Sequence, residues 1–214
     1  MDILGNIYDI DCAVLLFVNR MHCSLTDDIM WLISDRFIWV PFYMLLTYFL
    51  YRKYGLRSLM LCLISVALCI CMADQLGASV IRPLIERPRP SHVGGALSAA
   101  LHHVNDYHGG SYGFPSCHAA NTLGLTFFLF FVYRNKRLFW GLLAWALIVC
   151  YSRLYLGVHY PTDLIAGSIV GVFSAAIAAI IYYLLNKAYY KAKDLYASYI
   201  MLQNESLLNA ARFT

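Results

Sequence analysis

The sequence predicts an all-α fold: a polytopic membrane helical bundle of five to six helices, with short N-terminal interfacial helices. Three observations predict it. Of the 214 residues, 61% are hydrophobic and only 13% are charged, about half the charged share of an ordinary soluble domain. The apolar residues gather in long runs nearly free of charge, and about 20 such residues cross a hydrocarbon core of ~30 Å as a helix. The strict alternation that a membrane β-barrel needs is missing from these runs.

The elements follow in chain order, within a single domain spanning 1–214. The opening "MDILGNIYDIDCAVLLF" is acidic where a signal peptide is basic, and its apolar core is short. The chain is therefore expected to insert through its own spans. Residues 1–36 make an interfacial N-terminal segment, because "AVLLFV" (13–18) is too short to cross. Residues 8–34 read as one or two short helices, the second capped by Thr26 or Asp27; a sixth crossing here is the alternative. Five spans follow, at 37–51 (with entry from Met30 as an option), 58–81, 119–133, 138–158 and 164–185. The first and third are short and must recruit flanking residues. Residues 187–214, opening "KAYYKAKDLYASYI", form a cytoplasmic tail, either an amphipathic helix on the inner leaflet or an extension of the last span.

Short-loop lysines and arginines set the orientation. "RKYGLR" (52–57), "RNKR" (134–137) and Lys187, Lys191 and Lys193 fall on one side, which reads as cytoplasmic. Apart from Arg20 and Arg36, the basic residues of the other side are Arg82, Arg87, Arg89 and Arg153. These oppose the trend and call for a chemical reason. The seven cysteines include no C-x-x-C pair, so neither a disulfide framework nor a thiolate zinc site is expected. No nucleic-acid module is present.

Three clusters converge on that outer face. In "RPLIERPRP" (82–90), Pro83, Pro88 and Pro90 disfavour helix and hold the arginines on a stiff, extended loop. Guanidinium forks suit phosphate oxygens; lipid headgroups are the alternative ligand. In "GFPSCHAAN" (113–121), Ser116 is an N-cap, and the amides of Cys117 and His118 are free donors at a helix start, beside the His118 imidazole. An ordinary capped helix with an interfacial histidine is the alternative. In "SRLYLGVHYPTD" (152–163), Thr162 is the expected cap of the last span. Asp163 can accept a hydrogen bond from one nitrogen of His159 and free the other for attack. A plain Arg153–Asp163 salt bridge between two helices is the competing explanation. Asp74 and Gln75 either line the same cavity or pack between helices.

These residues resemble the type-2 phosphatidic acid phosphatase superfamily of lipid phosphatases, which shares its site with vanadium haloperoxidases and some soluble acid phosphatases. Its motifs are K-x6-R-P, P-S-G-H and S-R-x5-H-x3-D. The third is complete in Ser152, Arg153, His159 and Asp163; the second carries Cys117 for glycine; the first is Arg82-x6-Arg89-Pro90, with arginine for lysine. The resemblance implies that His159 is the nucleophile, forming a phosphohistidine, and that Asp163 orients it. His118 protonates the leaving group and then helps activate water. Arg82, Arg89, Arg153, Ser116 and the Cys117 amide hold the phosphoryl group. This chemistry needs no metal and no other cofactor. Neither departure removes a charge or a proton-transfer group, so activity is expected to survive both.

The expectation is thus a metal-independent integral membrane phosphatase acting on a lipid phosphate drawn from the bilayer. It is placed in a bacterial inner membrane with its site on the periplasmic or outer face. Undecaprenyl diphosphate is the leading substrate; a lipid A phosphate, phosphatidylglycerol phosphate and phosphatidate are the alternatives. A transporter, or a metal-binding protein using His92, His102, His103, His108 and Asp106, is the reading from another class.

Overall fold

A computed structural model describes the backbone of residues 3–211 and the side chains of residues 5–202. Helices α1 (Ile3–Asn19) and α2 (Ser24–Ser34) lead through a 3-10 turn, Phe37–Trp39, into α3 (Val40–Asp74). A π-helical stretch, Gln75–Ile81, and the short α4 (Arg82–Ile85) continue it. The outer loop then carries α5 (Gly95–Ala100), and α6 (Cys117–Tyr133), α7 (Lys136–Tyr155) and α8 (Pro161–Ala211) complete the chain.

α3 comprises two antiparallel spans. Its 35 residues would extend about 52 Å if straight, yet Trp39, Leu50, Cys62 and Asp74 all line one cavity. The reversal occurs at Gly55, whose φ of +80° breaks the helical path and is open to glycine at little cost. Among the described residues, the stretch Phe37–Ile85 that holds both arms, α7 and α8 are long and apolar enough to cross a membrane, and α6, a shorter apolar helix of 17 residues, stands where the third span is expected. One expectation is corrected and one alternative is decided. The cap of α2 is Cys23, with Thr26 reaching back from inside the helix: its hydroxyl accepts from the Cys23 amide at 3.0 Å. The tail is a continuous extension of α8 through Ala211.

The three basic clusters meet at one end. Arg57 donates to Asn186 at 2.9 Å and lies over the Tyr189 ring at 3.4 Å, while Tyr54 stacks on Tyr133 at 4.0 Å between centroids. Between the ends runs a core built by Cys69, Phe128, Leu129, Ala146, Val149, Ala175 and Ala178.

The tightest crossing in the bundle is that of α6 on α8. A Cβ on Gly167 would lie 2.3 Å from the Ser116 carbonyl oxygen, and one on Gly171 would lie 2.2 Å from that of Ala120. Backbone meets backbone here, as small-residue pairs permit in membrane helices. The contact fixes the start of α6 against the start of α8, and both starts carry site residues. α1 rests on this end through buried Leu15, Val18 and Asn19, and turns Ile10, Phe17 and other apolar side chains outward.

Candidate active site

His159 lies in the short link between α7 and α8. Gly157, at φ +69°, ends α7 in the left-handed conformation, with its amide bonded to the Leu154 carbonyl at 2.9 Å. Pro161 is the first residue of α8, a position that suits its missing N–H. Asp163, two residues on, reaches back to accept from the Tyr160 amide at 2.9 Å. The cap position is therefore Tyr160, not Thr162, and Thr162 instead donates its hydroxyl to Asp11.

The buried His159 ring is held on both sides. Asp163 Oδ2 lies 3.4 Å from Nδ1, and Arg89 Nη1 lies 3.2 Å from Nε2. An arginine can only donate, so Nε2 presents its lone pair to Arg89 and the proton belongs on Nδ1, facing Asp163. Burial first, then the fields of Arg89, Arg153 and Arg82, hold the imidazole well below its ordinary range. It is neutral at neutral pH, with an unprotonated nitrogen facing the cationic pocket. Gly113 makes room for this pair: a Cβ there would lie 3.0 Å from Asp163 Oδ2.

Three guanidiniums act on that ring, Arg89 in contact and Arg153 and Arg82 through their charge. Arg89 also donates to the Val158 and Tyr112 carbonyls, each at 3.2 Å. Burial, and then Arg153, draw its pKa down to about 10, which leaves it charged at neutral pH. Arg82 donates to the Pro115 carbonyl at 3.2 Å and to Cys117 Sγ at 3.1 Å. Arg153 donates to the Ser34 hydroxyl and, at 3.2 Å, to Tyr107 Oη. None of the three is salt-bridged to a carboxylate among the described residues, and Nε of both Arg82 and Arg153 is buried without a hydrogen-bond partner. Like charges gathered in a partly desolvated pocket are costly unless an anion completes them.

His118 stands in the first turn of α6, behind the Ser116 cap, whose hydroxyl accepts from the Ala119 amide. Its imidazole bonds the Ser34 carbonyl and is in electrostatic contact with Arg153, His159 and Arg89. Cys117 is helical rather than left-handed, so its side chain causes no backbone strain, and the sulfur gives Arg82 an acceptor.

The structure gathers Arg82, Arg89, His118, Arg153, His159 and Asp163 at one end of the bundle, with Ser116 and Cys117 beside them at the start of α6, and alters one detail. Arg82 lies on a helical turn, not on an extended loop: the π-helical stretch before it shifts the hydrogen-bond register and admits Pro83. Only Arg87 and Arg89 are extended, against the segment 111–113, with the Arg89 amide bonded to the Ser111 carbonyl. The Arg153–Asp163 salt bridge does not form; Arg87 pairs with Asp163 instead, at 3.0 Å.

Several residues enter that the motif spacing did not select. Arg87 bridges Asp163 to the buried Asp11 of α1, donating to Asp11 at 2.7 Å and to the Thr162 hydroxyl at 2.6 Å, and it lies over the Tyr160 ring at 4.0 Å. α2 supplies Ser34, which touches both Arg153 and His118. Asn19 bonds the Tyr155 and His102 carbonyls and ties α1 to the outer loop. The loop histidines divide into two groups. His103 and His108 lie side by side, with Asp106 next to His108, whereas His102 pairs with Asp27 at 2.9 Å and stacks almost parallel on His22. His22, Asp27 and His102 each offer one possible ligand atom within 4.8 Å of the others, a grouping that shares only His102 with the loop set His92, His102, His103, His108 and Asp106.

Two cavities meet at His118. One, of about 490 Å³, is largely apolar and runs between the arms of α3 past Tyr43, Leu46, Val66 and Ile70, with Asp74 in its wall. Asp74 accepts from Asn121 at 3.2 Å, so it both packs between helices and lines the cavity. The other, of about 330 Å³, opens over Arg153 beside Trp31, Arg36 and Tyr107.

The same residues place the chain among known proteins. The PAP2 superfamily model matches residues 58–188, more than half of the chain. A lipid A 4'-phosphatase of Bacteroides thetaiotaomicron is 41% identical over 77% of this chain and 73% of its own length. A second protein of that name, from Porphyromonas gingivalis, is 33% identical over 78% and 70%. Relatives named as undecaprenyl-diphosphatases match over 30% and 42% of this chain. Among solved structures, a PAP2-type phosphatidylglycerolphosphate phosphatase from Bacillus subtilis shares the fold, with a TM-score of 0.58 at 19% identity over 86% of this chain and 87% of its own. The family model over residues 58–188, together with relatives named as phosphatases that align over most of the chain, shows that the chain belongs to the PAP2 superfamily as a membrane lipid phosphatase.

Proposed function

We propose that the protein hydrolyses a phosphate monoester on the sugar headgroup of a lipid A-like glycolipid. The observation that carries the phosphoryl part is the trio Arg82, Arg89 and Arg153, whose charges act on His159 and which meets no carboxylate among the described residues. A phosphate bound there satisfies the orphaned Nε groups of Arg82 and Arg153, with the free amides at the start of α6 as further donors. His159 Nε2 attacks phosphorus as the P–O bond to the lipid breaks, and His118, which the negative charge of the bound phosphate brings to the imidazolium form against burial and the fields of Arg153 and Arg89, gives that oxygen a proton. Asp163 holds the imidazolium side of the phosphohistidine through Nδ1. Water, losing a proton to His118, then attacks phosphorus; the N–P bond breaks and phosphate leaves. The work is largely positioning and charge stabilisation.

Two observations support the lipid class. The relatives called lipid A 4'-phosphatase align over most of the chain, whereas those called undecaprenyl-diphosphatase align over less than half, so lipid A displaces undecaprenyl diphosphate as the leading substrate. The apolar cavity between the arms of α3 ends at His118 and suits acyl chains entering from the bilayer. The basic loops at the far end favour a cytoplasmic position for that end, and with it an outward-facing site in a bacterial inner membrane. Purified protein assayed side by side on lipid A, undecaprenyl diphosphate, phosphatidylglycerol phosphate and phosphatidate should release phosphate fastest from lipid A. Faster release from undecaprenyl diphosphate would overturn the assignment.

A further inference from the structure

The recess of about 330 Å³ opens directly over His118 and Arg153. His118 is the proton donor to the departing oxygen in the proposed reaction, so whatever bears that oxygen must occupy space on the His118 side. The lining of the recess differs from the apolar cavity. Trp31, 38% exposed, meets the Tyr107 ring edge-on at 5.3 Å and 78°. Tyr107 is fixed in turn by the Arg153 guanidinium, which bonds its hydroxyl and lies 5.6 Å from its ring. Asp35 and Arg36 are exposed at the rim. Arg36 is a basic residue on the site side that the phosphate cluster does not use.

A partly exposed indole, a carboxylate and a guanidinium around a half-open recess are the surface that a sugar ring needs. The aromatic face packs against C–H groups of the ring, and the charged rim pairs with hydroxyl, amine or anionic substituents. A glycerol backbone or a bare phosphate leaving group has no ring to lay on the indole. The recess and the apolar cavity share Ser34, Asp35, Arg36 and His118 as a common wall. A ligand with a polar ring and acyl branches on that same ring can therefore fill both from one point.

We propose that this recess is a saccharide subsite that holds the phosphate-bearing sugar, with Trp31 as its stacking platform and Asp35 and Arg36 as its polar rim. It rests on the reading of the site as a sugar-lipid phosphatase, and its test can be separated from that reading. Glucosamine 4-phosphate and glycerol 3-phosphate are compared as soluble competitors of whichever lipid phosphate the purified protein turns over. The wild type should bind the sugar phosphate more tightly. Trp31→Ala should cut the ratio of the two inhibition constants roughly tenfold, the usual scale for truncating a packed aromatic anchor, and Trp31→Tyr should restore part of it. Because Trp31 is partly exposed, folding of each variant is checked by its thermal unfolding. No preference for the sugar phosphate, or a preference that Trp31→Ala leaves intact, overturns the subsite even if lipid A is hydrolysed. A Trp31-dependent preference without lipid A hydrolysis supports the subsite and overturns the lipid A assignment alone.

Discussion

Replacing Arg87 with methionine tests how the N-terminal helix reaches the chemistry. The Arg87 side chain is 21% exposed, whereas its partners Asp11 and Asp163 are 2% and 0% exposed. Its loss removes three hydrogen bonds, at 2.6, 2.7 and 3.0 Å, and leaves two buried carboxylates without their cation. Breaking a buried pair costs roughly 3–5 kcal/mol, and the partial exposure of Arg87 puts the expected loss at about 3. A carboxylate so stranded tends to take up a proton, and a protonated Asp163 no longer stabilises positive charge on His159. Asp11→Asn leaves the Arg87–Asp163 pair in place, so it should lower stability while sparing most of the turnover. The double variant Arg87→Met with Asp11→Asn should recover part of the stability and none of the activity, because one stranded charge is gone while Asp163 stays unpaired. Thermal unfolding in detergent and phosphate release are read on all four proteins. Equal activity losses in Asp11→Asn and Arg87→Met, or an unchanged stability in Arg87→Met, would refute the bridging role.

Three further outcomes follow from the geometry. Gly167→Ala places a methyl group 2.3 Å from the Ser116 carbonyl oxygen; overpacking of this kind costs roughly 1–3 kcal/mol, and the forced separation of α6 from α8 should lower turnover further than the same substitution at Gly141, which meets nothing within 4 Å. His118→Ala should slow the first, phosphorylating step about 10²–10⁴-fold with a lipid phosphate but much less with p-nitrophenyl phosphate, whose leaving group departs without a proton, as read in a single turnover; equal losses in that step on both would remove His118 from the acid role. His159 stays neutral in the folded protein below its ordinary range, while the unfolded chain protonates it near ~6.5. The unfolded state then binds more protons, so native stability is complete above that pH and is lost as pH falls toward the folded value. His159→Asn should flatten this acid-side loss by up to about 1.4 kcal/mol per pH unit, and an identical pH profile for the two proteins would contradict a neutral buried imidazole.

The sequence made the bundle and most of the site legible for physical reasons. Long uncharged runs have few outlets other than lipid, and arginines against the orientation rule stand out because topology does not explain them. The spacing Arg153-x5-His159-x3-Asp163 is local, so one turn after α7 delivers all three groups. The rest was less visible because it depends on distant contacts. Asp11 meets Thr162 across 151 positions and Ser34 meets Arg153 across 119. α1 and α2 read as interfacial amphipaths, and no periodicity marks which of their polar residues turn inward. Arg82 was misplaced on a loop because Pro83 ordinarily ends a helix; the π-helical stretch before it is a register shift without a composition signal. Thr162 resembles a cap, yet the cap position falls to Tyr160 because Pro161 starts the helix and Asp163 reaches back. The substrate was the least legible feature, since the motifs describe how a phosphoryl group is held and not what carries it.

The most direct measurement is to trap the covalent intermediate. Protein incubated briefly with a 32P-labelled lipid phosphate and quenched in alkali should retain label that is stable to base and labile to acid, and peptide mapping should place it on His159. His118→Ala given an activated phosphate ester should accumulate the same adduct, and His159→Ala should show none. Label that persists without the His159 imidazole would contradict the account at its centre, as would turnover of wild-type protein with no phosphohistidine at any time point.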